Sequence, residues 1–125
     1  MVIGKIGVQS YFDHRRANAF ERALVQTSND MNAKLPMQVD KYTRLDTTVP
    51  GPGKRFTYLY TISDTSAEQV DPAEVITALR PVVVNGYKTN PQFATFREQG
   101  VEMHYVYRDT NGRHLGEIAV SPKDF

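Results

Sequence analysis

The residues that could do chemistry are few in this chain, and the most conspicuous of them stand together. Gly51-Pro52-Gly53-Lys54, followed by Arg55, has the composition of a phosphate cradle. A phosphate-binding loop runs G-x-x-x-x-G-K-[ST] and opens a helix whose first amides face the anion. Here Arg55 follows Lys54, Pro52 removes an amide donor, and the alternating run from Phe56 to Ile62 announces a strand. The stretch therefore reads as a hairpin loop. Pro50 and Pro52 stiffen it, and Gly51 and Gly53 supply positive φ. Any further role for it is contact: Lys54 and Arg55 would meet an anionic partner.

Other chemistries fare no better. A metal needs convergent ligands. His104 and His114 fall on opposite faces of a predicted hairpin, and His14 opens a predicted helix with no partner in sight. None of the serines Ser10, Ser28, Ser63, Ser66 and Ser121 sits in a G-x-S-x-G elbow. The carboxylates Asp40, Asp46, Asp64, Glu102 and Glu117 are scattered, and no spacing puts two in a shared pocket. No residue set implies a cofactor, a metal site or a catalytic group. Tyr58, Tyr60, Tyr105 and Tyr107 are different, because they fall on the inward faces of two strands. Either they build a core whose phenols reach its rim, or they line a shallow aromatic cleft that takes a peptide or small ligand.

The elements that must position these residues follow from periodicity. Ala17, Phe20, Leu24, Thr27 and Met31 recur at helical spacing, with Arg15, Arg16 and Arg22 between them, so Tyr11 to Asn32 reads as a helix. Met37 to Val49 reads as one strand whose parity slips at a bulge near Asp40–Lys41. It carries Lys41, Arg44 and Asp46, a polar strip suited to protein contact. Asp71, Pro72 and Glu74 open a second helix, in which Pro81 predicts a kink or stop. Asn90, Pro91 and Gly100 bracket a short helix containing Phe93 and Phe96. Asn111-Gly112 signals a type I′ hairpin that pairs Met103 with Val120, Tyr105 with Ile118 and Tyr107 with Gly116. That register leaves Leu115 opposite Arg108 on the wetter face.

The order helix–hairpin–helix–hairpin predicts an α+β domain. Its expected sheet is four-stranded and mainly antiparallel, with the helices packed on one face. Residues 11–125 form this single domain, and 1–10 are an N-terminal segment. The opening "MVIGKIGVQSYF" reads either as an ordinary packed segment or as the tail of a membrane anchor or signal, with a tether upstream of residue 1. Fifteen basic residues against 14 acidic ones leave no basic excess for nucleic acid. With no cysteine, disulfides and thiolate chemistry are excluded.

The blocks Val39-Asp40-Lys41, Thr43-Arg44-Leu45-Asp46, Gly51-Pro52-Gly53-Lys54-Arg55-Phe56-Thr57-Tyr58 and Thr89-Asn90-Pro91-Gln92 give the chain, from Leu35 to Phe125, a resemblance. It resembles a group of small uncharacterised bacterial proteins that follow a membrane-anchoring or export segment. Members often carry one cysteine just before the Thr-Asn-Pro block and another at the C-terminus. Here Lys88 and Phe125 hold those places, and both cysteines are missing together, as expected of a pair. The resemblance implies no activity. It implies an exported relative, and so an envelope or periplasmic location, with a cytoplasmic one as the alternative. The function expected of the residues themselves is that of a non-enzymatic domain that binds a protein or peptide. The alternative is a small-ligand binder using the tyrosine-lined face, similar to cystatin-like or roll-shaped folds, and a hydrolase stands third, since it would need two ionisable side chains converging in a cleft.

Overall fold

Asp40 decides the strand count. Its Oδ1 accepts from the backbone N–H groups of Tyr42 and Thr43, each at 2.9 Å. This side-chain turn splits the expected strand into β1 (Met37–Gln38) and β2 (Thr43–Pro50). The parity slip has two sources: the turn at Asp40, and a bulge at Asp46, where the pairing steps between Leu45 and Thr47. The computed structural model describes residues 19–64 and 66–125. The apolar N-terminal stretch, His14 and the first turns of the expected first helix lie outside them.

The remaining strands are β3 (Arg55–Ile62), β4 (Glu102–Arg108) and β5 (His114–Val120). They join β1 and β2 in one sheet of order β1-β2-β3-β4-β5. β3 and β4 run parallel, with Tyr58 beside Tyr105 and Tyr60 beside Tyr107, while the other neighbours are antiparallel. The four-stranded, mainly antiparallel sheet expected from the sequence is therefore corrected to a five-stranded mixed one. The physical reason lies between β3 and β4. Two hairpins joined by a helix can place their inner strands side by side only through a crossover, and a helical crossover joins parallel strands.

That crossover is α2 (Pro72–Thr89), capped by the Asp71 side chain, which accepts from the Ala73 N–H at 3.0 Å. The helix does not end at Pro81. The ring removes the amide that would have bonded the Thr77 carbonyl, but both residues are exposed, so that carbonyl is not shut away from solvent. Arg97 finishes the helix from outside. Its Nη1 donates to the carbonyls of Tyr87 and Asn90 at 2.9 and 2.8 Å. Asn90 caps the short turn leading into α3 (Ala94–Gln99), and Gly100 closes α3 at φ +73°.

The first helix, α1, is helical over 19–32 of the described residues. Its last turn closes the outer edge of β2. Asn32 Oδ1 accepts from the Thr48 N–H at 2.8 Å, and Asn32 Nδ2 donates to the Thr48 carbonyl at 3.1 Å. One carboxamide thus does what a neighbouring strand would do, and the edge is protected. Ser28 adds a contact between its Oγ and Thr48 Oγ1 at 2.7 Å. α1 and α2 lie on one face of the sheet. Leu24, Phe56, Tyr58, Val83, Tyr87, Met103, Tyr105, Ile118 and Val120 form the core between. α2 packs tightly on the sheet at Gly116, where an added Cβ would stand 2.4 Å from Ile76 Cγ1.

The β4–β5 hairpin keeps the predicted pairing of Met103, Tyr105 and Tyr107 but not the predicted turn. The Asp109 N–H donates to the Arg113 carbonyl, the Gly112 N–H donates to the Asp109 carbonyl, and Gly112 alone takes positive φ, at +82°. This is a three-residue loop with a glycine bulge, not a type I′ turn. The register is recovered by a second irregularity, between Tyr107 and Arg108. It makes Leu115 the extra residue and buries it in the core, correcting its expected place on the wetter face.

Candidate binding cleft

Parallel in-register pairing does more than close the sheet. It sets four tyrosines in a two-by-two array. Tyr60 and Tyr107 stack at 4.9 Å and 11°, while Tyr58 meets Tyr105 edge-on at 5.6 Å. All four line a cleft of about 390 Å³ between the sheet and α2, within the size range of ligand sites. Leu79, Val83 and Gly86 of α2 form the opposite wall, and Met31, Phe93 and Tyr87 close the ends.

The tyrosines are nearly covered: Tyr58 is 8% exposed, and Tyr105 and Tyr107 are 4%. None of the four hydroxyls has a hydrogen-bond partner among the described residues, and all four stay in reach of solvent from the cleft. Tyr87 is the contrast, since its hydroxyl donates to the Val101 carbonyl at 2.7 Å. Burial pushes the phenols of Tyr58 and Tyr107 up to about 12, with the Asp40 charge adding to the effect at Tyr107. Tyr60 and Tyr105 are raised further, by burial first and then by the neighbouring phenols. All four remain protonated donors at neutral pH.

The mouth of the cleft is apolar and uncovered. Met37, Val39 and Val82 line it and are 50%, 46% and 68% exposed. Asp40 stands among them and, among the described residues, is the one charged residue lining the cleft.

The other predicted contact residues lie elsewhere. Lys54 and Arg55 line a separate polar hollow of about 350 Å³ with Glu102 and Lys123. Gly51 and Gly53 do take positive φ, and Lys54 Nζ lies 5.5 Å from the Phe20 ring centre. Arg44 pairs with Asp46 on β2, and Lys41 lies over Tyr42.

Sequence reasoning missed the α2 wall and the rim. The stripe of Val75, Ile76 and Leu79 continues at helical spacing through Val83 and Tyr87, and only the expected break at Pro81 hid it. It also missed an ionic cluster on the opposite sheet face. There, His104 Nδ1 donates to Glu117 Oε1 at 2.9 Å, and Nε2 stands 3.1 Å from Glu102 Oε2 without hydrogen-bond alignment. His104 and Glu117 are diagonal neighbours across β4 and β5, a relation readable from the register. The cluster lies on the open face. Among the described residues no group of three or more acidic, histidine or cysteine side chains could hold a metal.

The fold and cleft together define an α+β domain whose mixed five-stranded sheet carries helices on one face and an aromatic cleft beneath them. Residues 18–116 match a family described as a domain of unknown function, DUF8479, and the chain belongs to that family. No curated protein matches the sequence. Three solved structures share the fold. One is a Pseudomonas aeruginosa protein described as secreted, with TM-score 0.69, 8% identity, and 83% of this chain covering 90% of that one. Another is the pilotin EpsS of the Vibrio vulnificus type 2 secretion system, with TM-score 0.69, 12% identity, and 88% of this chain covering 94% of that one. The third is the type II secretion pilotin AspS of Vibrio cholerae, with TM-score 0.67, 11% identity, and 90% of this chain covering 97% of that one. At such identities the likeness is one of fold. The positions the first resemblance pairs, Lys88 and Phe125, are neighbours, with Lys88 Nζ 5.9 Å from the Phe125 ring centre. No described helix is long and apolar enough to cross a membrane.

Proposed function

We propose that this domain is a non-enzymatic, envelope-associated protein that holds a segment of a partner protein in its tyrosine cleft. The cleft carries the reading. A hollow walled by aliphatic and aromatic side chains, continued outward by exposed Met37, Val39 and Val82, is an apolar surface that water covers at a cost. The shared fold of two type II secretion pilotins and a protein described as secreted supports the envelope placement and an accessory role there.

Site-specific photo-crosslinking tests it. A photoreactive residue replacing Val82 on the rim is expected to capture an envelope protein in living cells. Gly86→Trp should abolish capture, because Gly86 lines the cleft and has open space where its side chain would grow. Equal capture from Ala119, on the opposite face of the sheet, or persistence in the Gly86→Trp protein, overturns the reading.

A small apolar ligand in the same cleft is the second reading, favoured by the volume of about 390 Å³. Calorimetric titration with dodecanoate, blocked by Gly86→Trp, would support it in place of a protein segment.

A further inference from the structure

The cleft is apolar in its walls but not in what points into it. Four phenol hydroxyls open there, three of them on tyrosines more than nine-tenths buried, and none bonds a described residue. Solvent reaches these hydroxyls from the cleft, and an occupant that displaces it without accepting from them leaves them unsatisfied, a cost that a pocket for purely apolar ligands avoids by using Phe. The sequence has Phe at hand in the same strand and the same face: Phe56 occupies the next inward position of β3, below Tyr58, where α3 covers it. The hydroxyls begin where the cleft begins. The partner that satisfies them is therefore external.

The type of partner group follows from charge. Asp40 at the mouth keeps its carboxylate near Tyr107 and faces no cation in any salt bridge among the described residues. An anionic acceptor inserted beside it would be repelled, whereas a neutral carbonyl would not. The same carboxylate attracts a cation arriving with the ligand.

We propose that the tyrosine cleft selects its occupant by neutral hydrogen-bond acceptors and one positive charge. The occupant is an apolar stretch of a partner protein bearing an Asn or Gln carboxamide for the phenols and a Lys or Arg for Asp40. This rests on the protein-segment reading of the cleft and adds its recognition code. Rings supply the apolar contact; hydroxyls supply the choice.

The test is a random peptide display library selected on the wild-type protein and counter-selected on Gly86→Trp. Peptides that survive are expected to combine apolar residues with an Asn or Gln and a Lys or Arg. Their affinity should fall about tenfold on the Tyr60→Phe/Tyr107→Phe protein, which keeps both rings. On Asp40→Asn it should fall about threefold, and salt should cease to weaken binding. Asn retains the Oδ1 that holds the turn at residues 40–43. Peptides that lack the amide and the base, or that bind the double Phe protein as tightly as wild type, overturn this proposal and leave cleft binding standing. If no peptide tells wild type from Gly86→Trp, or dodecanoate or self-association takes the cleft, the protein-segment reading falls with it.

Discussion

The same two strands, β3 and β4, present two chemistries. On the helix side, Tyr58, Tyr60, Tyr105 and Tyr107 turn their hydroxyls to the cleft with no partner among the described residues, where solvent reaches them. On the other side, Arg55, Glu102, His104 and, from β5, Glu117 lie 2.9 to 3.7 Å from one another, with the acids and Arg55 half-exposed and His104 only 12% exposed. Unpaired polar groups are costly when buried and ion pairs gain little when exposed. The contrast teaches which face can exchange its partners. The ionic face is committed to its own side chains, whereas the hydroxyls of the cleft face have only solvent, which a second molecule can replace.

The largest test is pH. A phenol in water ionises near 10, and burial moves Tyr58, Tyr87 and Tyr107 up to about 12. A group whose folded value is raised contributes stability that is complete below its unfolded value. That stability is lost as pH rises through the interval. The protein should therefore hold its fold to about pH 10 and lose it cooperatively by about pH 12, with phenolate absorbance and circular dichroism changing together. Phenols ionising near pH 10 with the fold intact would mean that the cleft face is as wet as the open one.

Next comes packing. Gly116→Ala drives a methyl group to 2.4 Å from Ile76 Cγ1 and 2.8 Å from Cδ1. It should cost about 1–3 kcal/mol in urea unfolding. Ile76→Ala should recover part of that loss in the double variant. Ala119→Val, on the open face of the same strand, should change stability by less than about 0.5 kcal/mol. Similar costs at both positions would erase the distinction between faces.

Within the cleft face the contrast is between tyrosines. Tyr87→Phe removes a hydroxyl that serves the Val101 carbonyl and should cost about 1 kcal/mol or somewhat more. Tyr107→Phe removes one that serves nothing among the described residues, and should leave stability unchanged or slightly higher. Chemical denaturation of the two variants side by side decides it. A matching loss at Tyr107 would mean that its hydroxyl is already satisfied.

Much of this was legible in the sequence, and the gaps have physical causes. Alternation from Phe56 to Ile62 and from Met103 to Tyr107 put the tyrosines on inward faces, because a strand has a strict period. The caps Asp71, Asn90 and Gly100 stood where their side-chain and backbone preferences require. What failed was non-local or compensated. Asp40 makes a turn through its own side chain, which mimics a bulge in a parity count. A longer hairpin loop plus a bulge at Leu115 gives the same pairing as a tight turn. Pro81 sits where helix rules say stop, yet packing on both sides of it carries α2 through. The cleft followed from these failures, since it exists only because β3 and β4 are parallel and α2 is unbroken.

The smallest expected effect lies on the open face, and it sharpens the comparison most. Glu117→Gln keeps the shape and an acceptor for His104 Nδ1 while removing a charge whose side chain is 46% exposed. Exposed pairs of this kind contribute between nothing and about 1 kcal/mol, with salt reducing even that. Glu117→Gln should therefore shift the urea midpoint barely, and any shift should vanish in high salt. Photo-crosslinking from Val82 should be as strong in Glu117→Gln as in the parent protein, because the cluster and the cleft are on opposite sides of the sheet. Crosslinking lost in Glu117→Gln but kept in Tyr107→Phe would exchange the roles of the two faces, making the self-paired one the site of contact.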